Sequence, residues 1–160
     1  KSTAEQAVEI DQKISKDKFD KEIISMLKGE AKKSADFWRG IASAVVKNKK
    51  IVLMAHNRHV PVEQTPYVDG DPRSDFHKGV NIELSTALHS EAGLVAEAAR
   101  KGISLEGASM YVTTFPCPPC AKQIAYSGIK KLYYRGGYGV LDAEKILKSM
   151  GVEIIFVDGE

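Results

Sequence analysis

Only two cysteines occur in the 160-residue chain, Cys117 and Cys120. So few exclude the disulfide framework of a small secreted protein. Long apolar runs are missing too, and nothing approaches the roughly 20 residues that span a bilayer. Neither charge has much of a surplus: 23 Lys and Arg face 21 Asp and Glu, a formal net charge of +2. Proteins that live on nucleic-acid phosphates usually carry a larger basic excess, so strong non-specific nucleic-acid binding is disfavoured. No internal repeat or low-complexity tract interrupts the chain. The opening Lys1-Ser2-Thr3-Ala4-Glu5 is too polar for a signal peptide, which makes the cytoplasm the expected compartment and no membrane a partner. What remains is ordinary: 43% hydrophobic and 28% charged residues, enough for one core and against wholesale disorder.

The apolar spacing then gives an order of elements. Residues 1–18 read as a helix or a loosely ordered arm, followed by Phe19, Ile23, Met26 and Leu27 at helical spacing. Gly29 is expected to interrupt this helix before it continues towards Phe37 and Trp38. Ile41–Val46 and Ile51–Ala55 flank Lys47-Asn48-Lys49-Lys50 and predict a β-hairpin. A long irregular stretch rich in Pro and Gly follows over 57–80. From His89 to Lys101 the pattern is helical, with Ala92, Val95, Ala96 and Ala99 on the expected buried face and Gly102 closing it. Ser109–Thr114 predicts a strand, Cys120–Ser127 a short helix and Lys131–Tyr134 a strand. Ala143, Ile146, Leu147 and Met150 mark another helix, and Val152–Val157 a last strand. Such alternation points to an α/β layer fold with parallel neighbours.

A CxxC pair has three common readings: half a zinc site, a thioredoxin-like redox pair, or incidental thiols. Here it stands as Pro116-Cys117-Pro118-Pro119-Cys120, and His89-Ser90-Glu91 lies 28 residues upstream of Cys117. A thioredoxin-like pair should follow the first strand of its fold and carry no HxE partner. One His and two Cys suit a catalytic zinc, which keeps its fourth position for water, whereas a structural zinc wants a fourth protein ligand. His56, His59 or His77 could in principle supply that fourth ligand, so a silent zinc scaffold stays open. At a helix start, residues i and i+2 point in different directions. Glu91 is thus badly placed to join His89 on the metal but well placed to move protons to and from a water held there. Both ligand groups open helices, where the positive field of the free N–H groups favours thiolates.

These motifs resemble the cytidine deaminase-like superfamily, and within it the CMP/dCMP-type (deoxycytidylate) zinc deaminases. The resemblance rests on Thr86-Ala87-Leu88-His89-Ser90-Glu91, on the run from Met110 through Pro116-Cys117-Pro118-Pro119-Cys120 to Ile124, and on Gly128-Ile129-Lys130-Lys131-Leu132-Tyr133-Tyr134. It covers roughly residues 41–157 and implies a three-layer α/β/α sandwich around a five-stranded mixed sheet, its last two strands parallel. It implies His89, Cys117 and Cys120 as ligands of one catalytic Zn²⁺ per chain, and Glu91 as the acid/base that activates zinc-bound water. It also implies substrate contacts at Asn57, Thr114, Phe115 and Tyr138.

The expected reaction is hydrolytic deamination of cytosine in a free nucleotide, dCMP to dUMP. The alternative is a base deaminase acting on cytosine in single-stranded DNA or RNA, or on adenosine in tRNA. A small-molecule nucleotide is therefore the expected partner, with nucleic acid less favoured and a homo-oligomer implied by analogy. Two departures stand out: Ser90 replaces the usual Ala of the motif, and 57–88 has none of the extra cysteines that hold a second zinc in some deoxycytidylate deaminases. The expected division is an N-terminal helical extension over 1–40 and a deaminase domain over 41–160.

Overall fold

The structure, a computed structural model, describes residues 13–33, 40–60, 87–137 and 141–159. In chain order these form β1 (Lys13–Ser15), α1 (Lys18–Ala31), β2 (Ala42–Lys47), β3 (Lys50–His56), β4 (Arg58–His59) and β5 (Ala87–Leu88). Then come α2 (Ser90–Lys101), β6 (Ser109–Thr114), α3 (Pro118–Ala125), β7 (Lys131–Gly136), α4 (Leu141–Ser149) and β8 (Glu153–Val157).

The strands make one mixed sheet in the order β1-β8-β7-β6-β2-β3, with β4 and β5 as a separate two-stranded ribbon. The last two strands, β7 and β8, are parallel, as are β6 and β7, while β2 runs antiparallel to both β3 and β6. The β2–β3 hairpin turns through Asn48 (φ 51°) and Lys49 (φ 59°). Two successive positive φ values are what a type I′ turn needs to match the twist of its strands. Helix α1 packs on one face through Ile23, Ile24, Leu27 and Ala31. The other face carries α2, α3 and α4 through Leu94, Ala121, Ile124, Ala143 and Leu147. The expected α/β/α sandwich is therefore present.

Several expectations need correction. The sheet has six strands, not five, because β1 pairs in parallel with β8. Its residues alternate too weakly to be noticed, and Ile14, the one apolar residue of its core, is 64% exposed. Helix α1 passes through Gly29 without a break. A single glycine costs a helix only about 1 kcal/mol, less than the burial of its neighbours returns. Met26 is exposed, and Ile24 takes the buried position instead. In α2 the buried residues are Ser90, Glu91, Leu94 and Ala98, whereas Ala96 and Ala99 face solvent. Met150 is exposed beyond the end of α4. The expected continuation towards Phe37 and Trp38, and most of the irregular 57–80 stretch, lie outside the described residues.

Strands β3 and β6 both run antiparallel to β2 and so end at the same edge of the sheet. In sheets with parallel strands, ligand sites gather outside the carboxyl ends. Asn57 follows β3 there, and Thr114 closes β6 three residues before Cys117. The ribbon completes the arrangement. Arg58 pairs with Leu88 and His59 with Ala87, so the same antiparallel register carried one step further sets Asn57 opposite His89.

Candidate active site

His89 is the N-cap of α2 and Cys117 the N-cap of α3, both in extended backbone conformation (ψ 144° and 162°). Two helix starts are thereby brought face to face. His89 Nδ1 lies 3.4 Å from Cys117 Sγ and 3.5 Å from Cys120 Sγ. All three donor atoms fall within 4.8 Å of one another, and no fourth His, Cys, Asp or Glu joins them among the described residues.

This donor set fits zinc. A tetrahedral ion with Zn–S of about 2.3 Å and Zn–N of about 2.0–2.1 Å spaces neighbouring sulfur and nitrogen ligands about 3.5 Å apart, the separation seen here. Three protein ligands leave one tetrahedral position for a small molecule. Two other histidines stand apart from the cluster, His56 with its Nδ1 3.0 Å from Glu30 Oε1 and His59 buried outside it; His77 lies outside the described residues.

The electrostatics support thiolate formation. Cys117 is held down to about 4, first by the hydrogen bond that the Cys120 thiol donates to it and then, against the cost of burial, by His89. The same shared proton, with burial and the neighbouring charges of Glu91 and Cys117, pushes Cys120 well above the ordinary thiol range. The backbone N–H of Ala92, in the first turn of α2, acts the other way and favours the Cys120 thiolate. This arrangement favours a proton shared between the two thiols, which a bound metal would displace.

Glu91 is 4% exposed. Burial raises its pKa above the usual carboxylate range, the Cys117 charge adds to this, and its own backbone N–H, His89 and the Ser90 hydroxyl oppose it. Ser90 Oγ donates to Glu91 Oε2 at 3.3 Å. A carboxyl group kept off solvent beside a metal-ligand cluster, its pKa raised by burial, has the makings of a proton shuttle.

Of the residues expected to contact substrate, Asn57, Thr114 and Phe115 are described. Asn57 is 1% exposed, and its side-chain oxygen accepts from Ser90 N–H at 2.8 Å. Thr114 is half-buried at the end of β6. Phe115 turns its ring into the core, edge-on to Tyr134 at 5.1 Å. Its N–H donates to Gly136 O at 2.9 Å. Gly137 (φ 80°) closes over this junction, where a Cβ would stand 2.8 Å from Thr114 Cγ2. No other residue fits that conformation in that space. Tyr138 lies outside the described residues.

A cavity of about 410 Å³ opens beside His89 and is bordered by His56, Arg58, Leu88, Gly93 and Glu97. A larger one, about 510 Å³, lies at the opposite end of the sheet between Asp17, Lys47, Glu106, Tyr111 and Tyr133. It holds no metal-ligating cluster, and the smaller cavity reaches the candidate site only at His89, since Glu91, Cys117 and Cys120 do not line it. What the sequence did not disclose is the link from Asn57 to α2. Only the β4–β5 register, across a gap of 27 residues between His59 and Ala87, brings the two together.

The chain resembles known proteins along most of its length. A deoxycytidylate deaminase of phage T2 is 46% identical over 88 residues, which are 51% of this chain and 45% of that protein. This chain thus spans about half the length of such curated relatives. A tRNA-specific adenosine deaminase of Bacillus subtilis is 32% identical over 78 residues, 47% of this chain and 48% of that one. Among solved structures, the dCMP deaminase of cyanophage S-TIM5 in complex with dCMP and dUMP superposes with a TM-score of 0.65 at 27% identity, covering 89% of this chain and 98% of that one. The profile of the family described as the cytidine and deoxycytidylate deaminase zinc-binding region matches residues 17–135. That match takes in α1, the hairpin, both ligand-bearing helix starts and most of β7, and on it this chain belongs to the cytidine and deoxycytidylate deaminase family.

Proposed function

We propose that this chain is a zinc-dependent hydrolase that converts dCMP and water to dUMP and ammonia. The observation that carries the reading is the burial of Glu91 two residues from His89, at the point where α2 meets Cys117 and Cys120. Bound by those three side chains, zinc would supply a Lewis acid that makes water a nucleophile near neutral pH. The remaining work falls to the chain itself. Glu91 takes a proton from the attacking water and passes it to the ring nitrogen. It then takes the remaining hydroxyl proton from the attacked carbon's oxygen and gives it to the departing amine, which leaves as ammonia while a carbonyl forms at that carbon. Its raised pKa suits both directions of transfer. Thr114, at the carboxyl end of β6, is the residue proposed to meet the bound nucleotide at the sheet edge.

The choice of dCMP draws on the similarity to the phage enzymes, one of them solved with dCMP and dUMP. The competing reading, a base deaminase acting on nucleic acid, draws on the tRNA-specific relative. It gains nothing from the near-balanced charge of the chain. Association with further copies of the chain and a cytoplasmic setting belong to the same proposal. Among the described residues no helix is long and apolar enough to cross a membrane.

The test is a deamination panel of dCMP, CMP, deoxycytidine, adenosine and short single strands, run with zinc and with a chelator. Ammonia release from dCMP that the chelator abolishes supports the proposal. Preference for the single strands would replace it with the nucleic-acid reading.

A further inference from the structure

We infer that Asn57 is a positioning residue that holds the start of α2, and with it His89 and Glu91, in working geometry. This goes beyond the substrate contact that the family resemblance implies, because the action is on the protein. The inference starts from a deficit. An N-cap side chain ordinarily accepts a hydrogen bond from an N–H in the first turn of its own helix. His89 is the N-cap of α2 and makes no such bond. Its Nδ1 faces the two thiols instead. The first turn is buried, with Ser90 at 1% and Glu91 at 4% exposure, so an unmet N–H there would be costly.

Asn57 makes good the deficit from outside the helix. Its Oδ1 accepts from Ser90 N–H at 2.8 Å, in a contact closed to solvent on both sides. Its own backbone is tied down in turn, since Asn57 N–H donates to Ile41 O at 2.8 Å just before β2. The chain of contacts therefore runs from the central sheet through Asn57 to Ser90. Ser90 is flanked by the metal ligand on one side and the proton carrier on the other. Outer partners that orient metal ligands typically matter by about 10–100-fold in metal affinity or activity.

The experiment uses the full chain loaded with zinc or with cobalt(II). It measures zinc affinity by chelator competition, the visible absorption of the cobalt form, and kcat and KM for dCMP. Asn57→Ala is expected to weaken zinc binding and lower kcat by about 10–100-fold each, to alter the cobalt spectrum and to leave KM little changed. Asn57→Asp keeps the accepting oxygen and should retain the wild-type cobalt spectrum and zinc affinity. Wild-type zinc affinity and cobalt spectrum in Asn57→Ala, with KM alone raised, would overturn the inference in favour of a pure substrate contact.

Should Asn57→Ala fail to fold, Asn57→Ala with Ser90→Pro decides the matter. Proline suits the first helical position and removes the N–H that needs a partner. That double variant should regain folding and zinc binding, and one that gains nothing over Asn57→Ala contradicts the inference. Only the kinetic arm rests on the proposed deaminase activity. A chain that never deaminates dCMP would sink that proposal, and the two metal arms would still decide this one.

Discussion

Helix α2 begins behind His89 and helix α3 behind Cys117, and neither N-cap side chain offers its helix an oxygen: the His89 ring faces the thiols, while the Cys120 N–H reaches Cys117 Sγ. Both are metal-ligand candidates, so both helices begin with the same problem of unmet first-turn N–H groups. They solve it differently. In α3 the first two positions are Pro118 and Pro119, which have no N–H to satisfy and whose fixed φ already suits a helix. In α2 those positions are Ser90 and Glu91, and Ser90 N–H is met by Asn57 from the end of β3. The difference follows from what each start must carry. Two prolines in a row can follow a cysteine ligand, but α2 must present a carboxylate at its second position, which rules out the same Pro-Pro start. The start that supplies only ligands is built from local sequence, whereas the start that also supplies the acid/base depends on a distant strand.

Removing a ligand should erase the distinction. Cys117→Ala leaves two donors where a stable site needs at least three, so zinc content measured by atomic absorption and deaminase activity should both fall to background. The shared thiol proton sharpens the comparison by pH. Cys117 is already a thiolate near neutral pH, its pKa held down to about 4, while Cys120 keeps its proton. That proton must leave for Cys120 to ligate, so zinc affinity should fall on acidification by at least about tenfold per pH unit. Zinc titrations against a competing chelator at several pH values check the slope, and a flat profile would mean that both thiols are already ionised. The smallest effect belongs to α3. Pro118→Ala with Pro119→Ala restores two N–H groups and loosens the unfolded chain, and should cost about 1–2 kcal/mol in urea unfolding while zinc stays bound. An equal loss of zinc affinity there would remove the asymmetry between the two helix starts.

The same asymmetry decides how much could be read in advance. The hairpin, the helix behind Cys117 and the parallel strands β7 and β8 were legible, because their signals are local: apolar alternation, turn residues, and prolines beside cysteines. The metal ligands were legible as types and spacing, and the structure brings His89, Cys117 and Cys120 within reach of one ion. The buried face of α2 was not. Counting apolar residues favoured Ala92, Val95, Ala96 and Ala99, yet the face turned inward carries Ser90 and Glu91 ahead of Leu94 and Ala98. Hydrophobic periodicity fails where a polar side chain is buried for its chemistry. Strand β1 was missed because three mostly exposed residues leave no pattern, and its place comes only from pairing with β8 at the other end of the chain. The role of Asn57 needed the pairing of Arg58 with Leu88, a long-range register that no local signal encodes.

The central claim is that Glu91 moves the protons of a zinc-dependent deamination. Its most direct test compares the zinc-loaded wild-type chain with Glu91→Gln, following ammonia release from dCMP alongside zinc content. The wild type is expected to convert dCMP to dUMP, and Glu91→Gln to keep its zinc and lose about 10²–10⁴-fold in kcat. Zinc-loaded Glu91→Gln turning over dCMP at the wild-type rate, or a zinc-loaded wild type that leaves dCMP untouched, would contradict the claim.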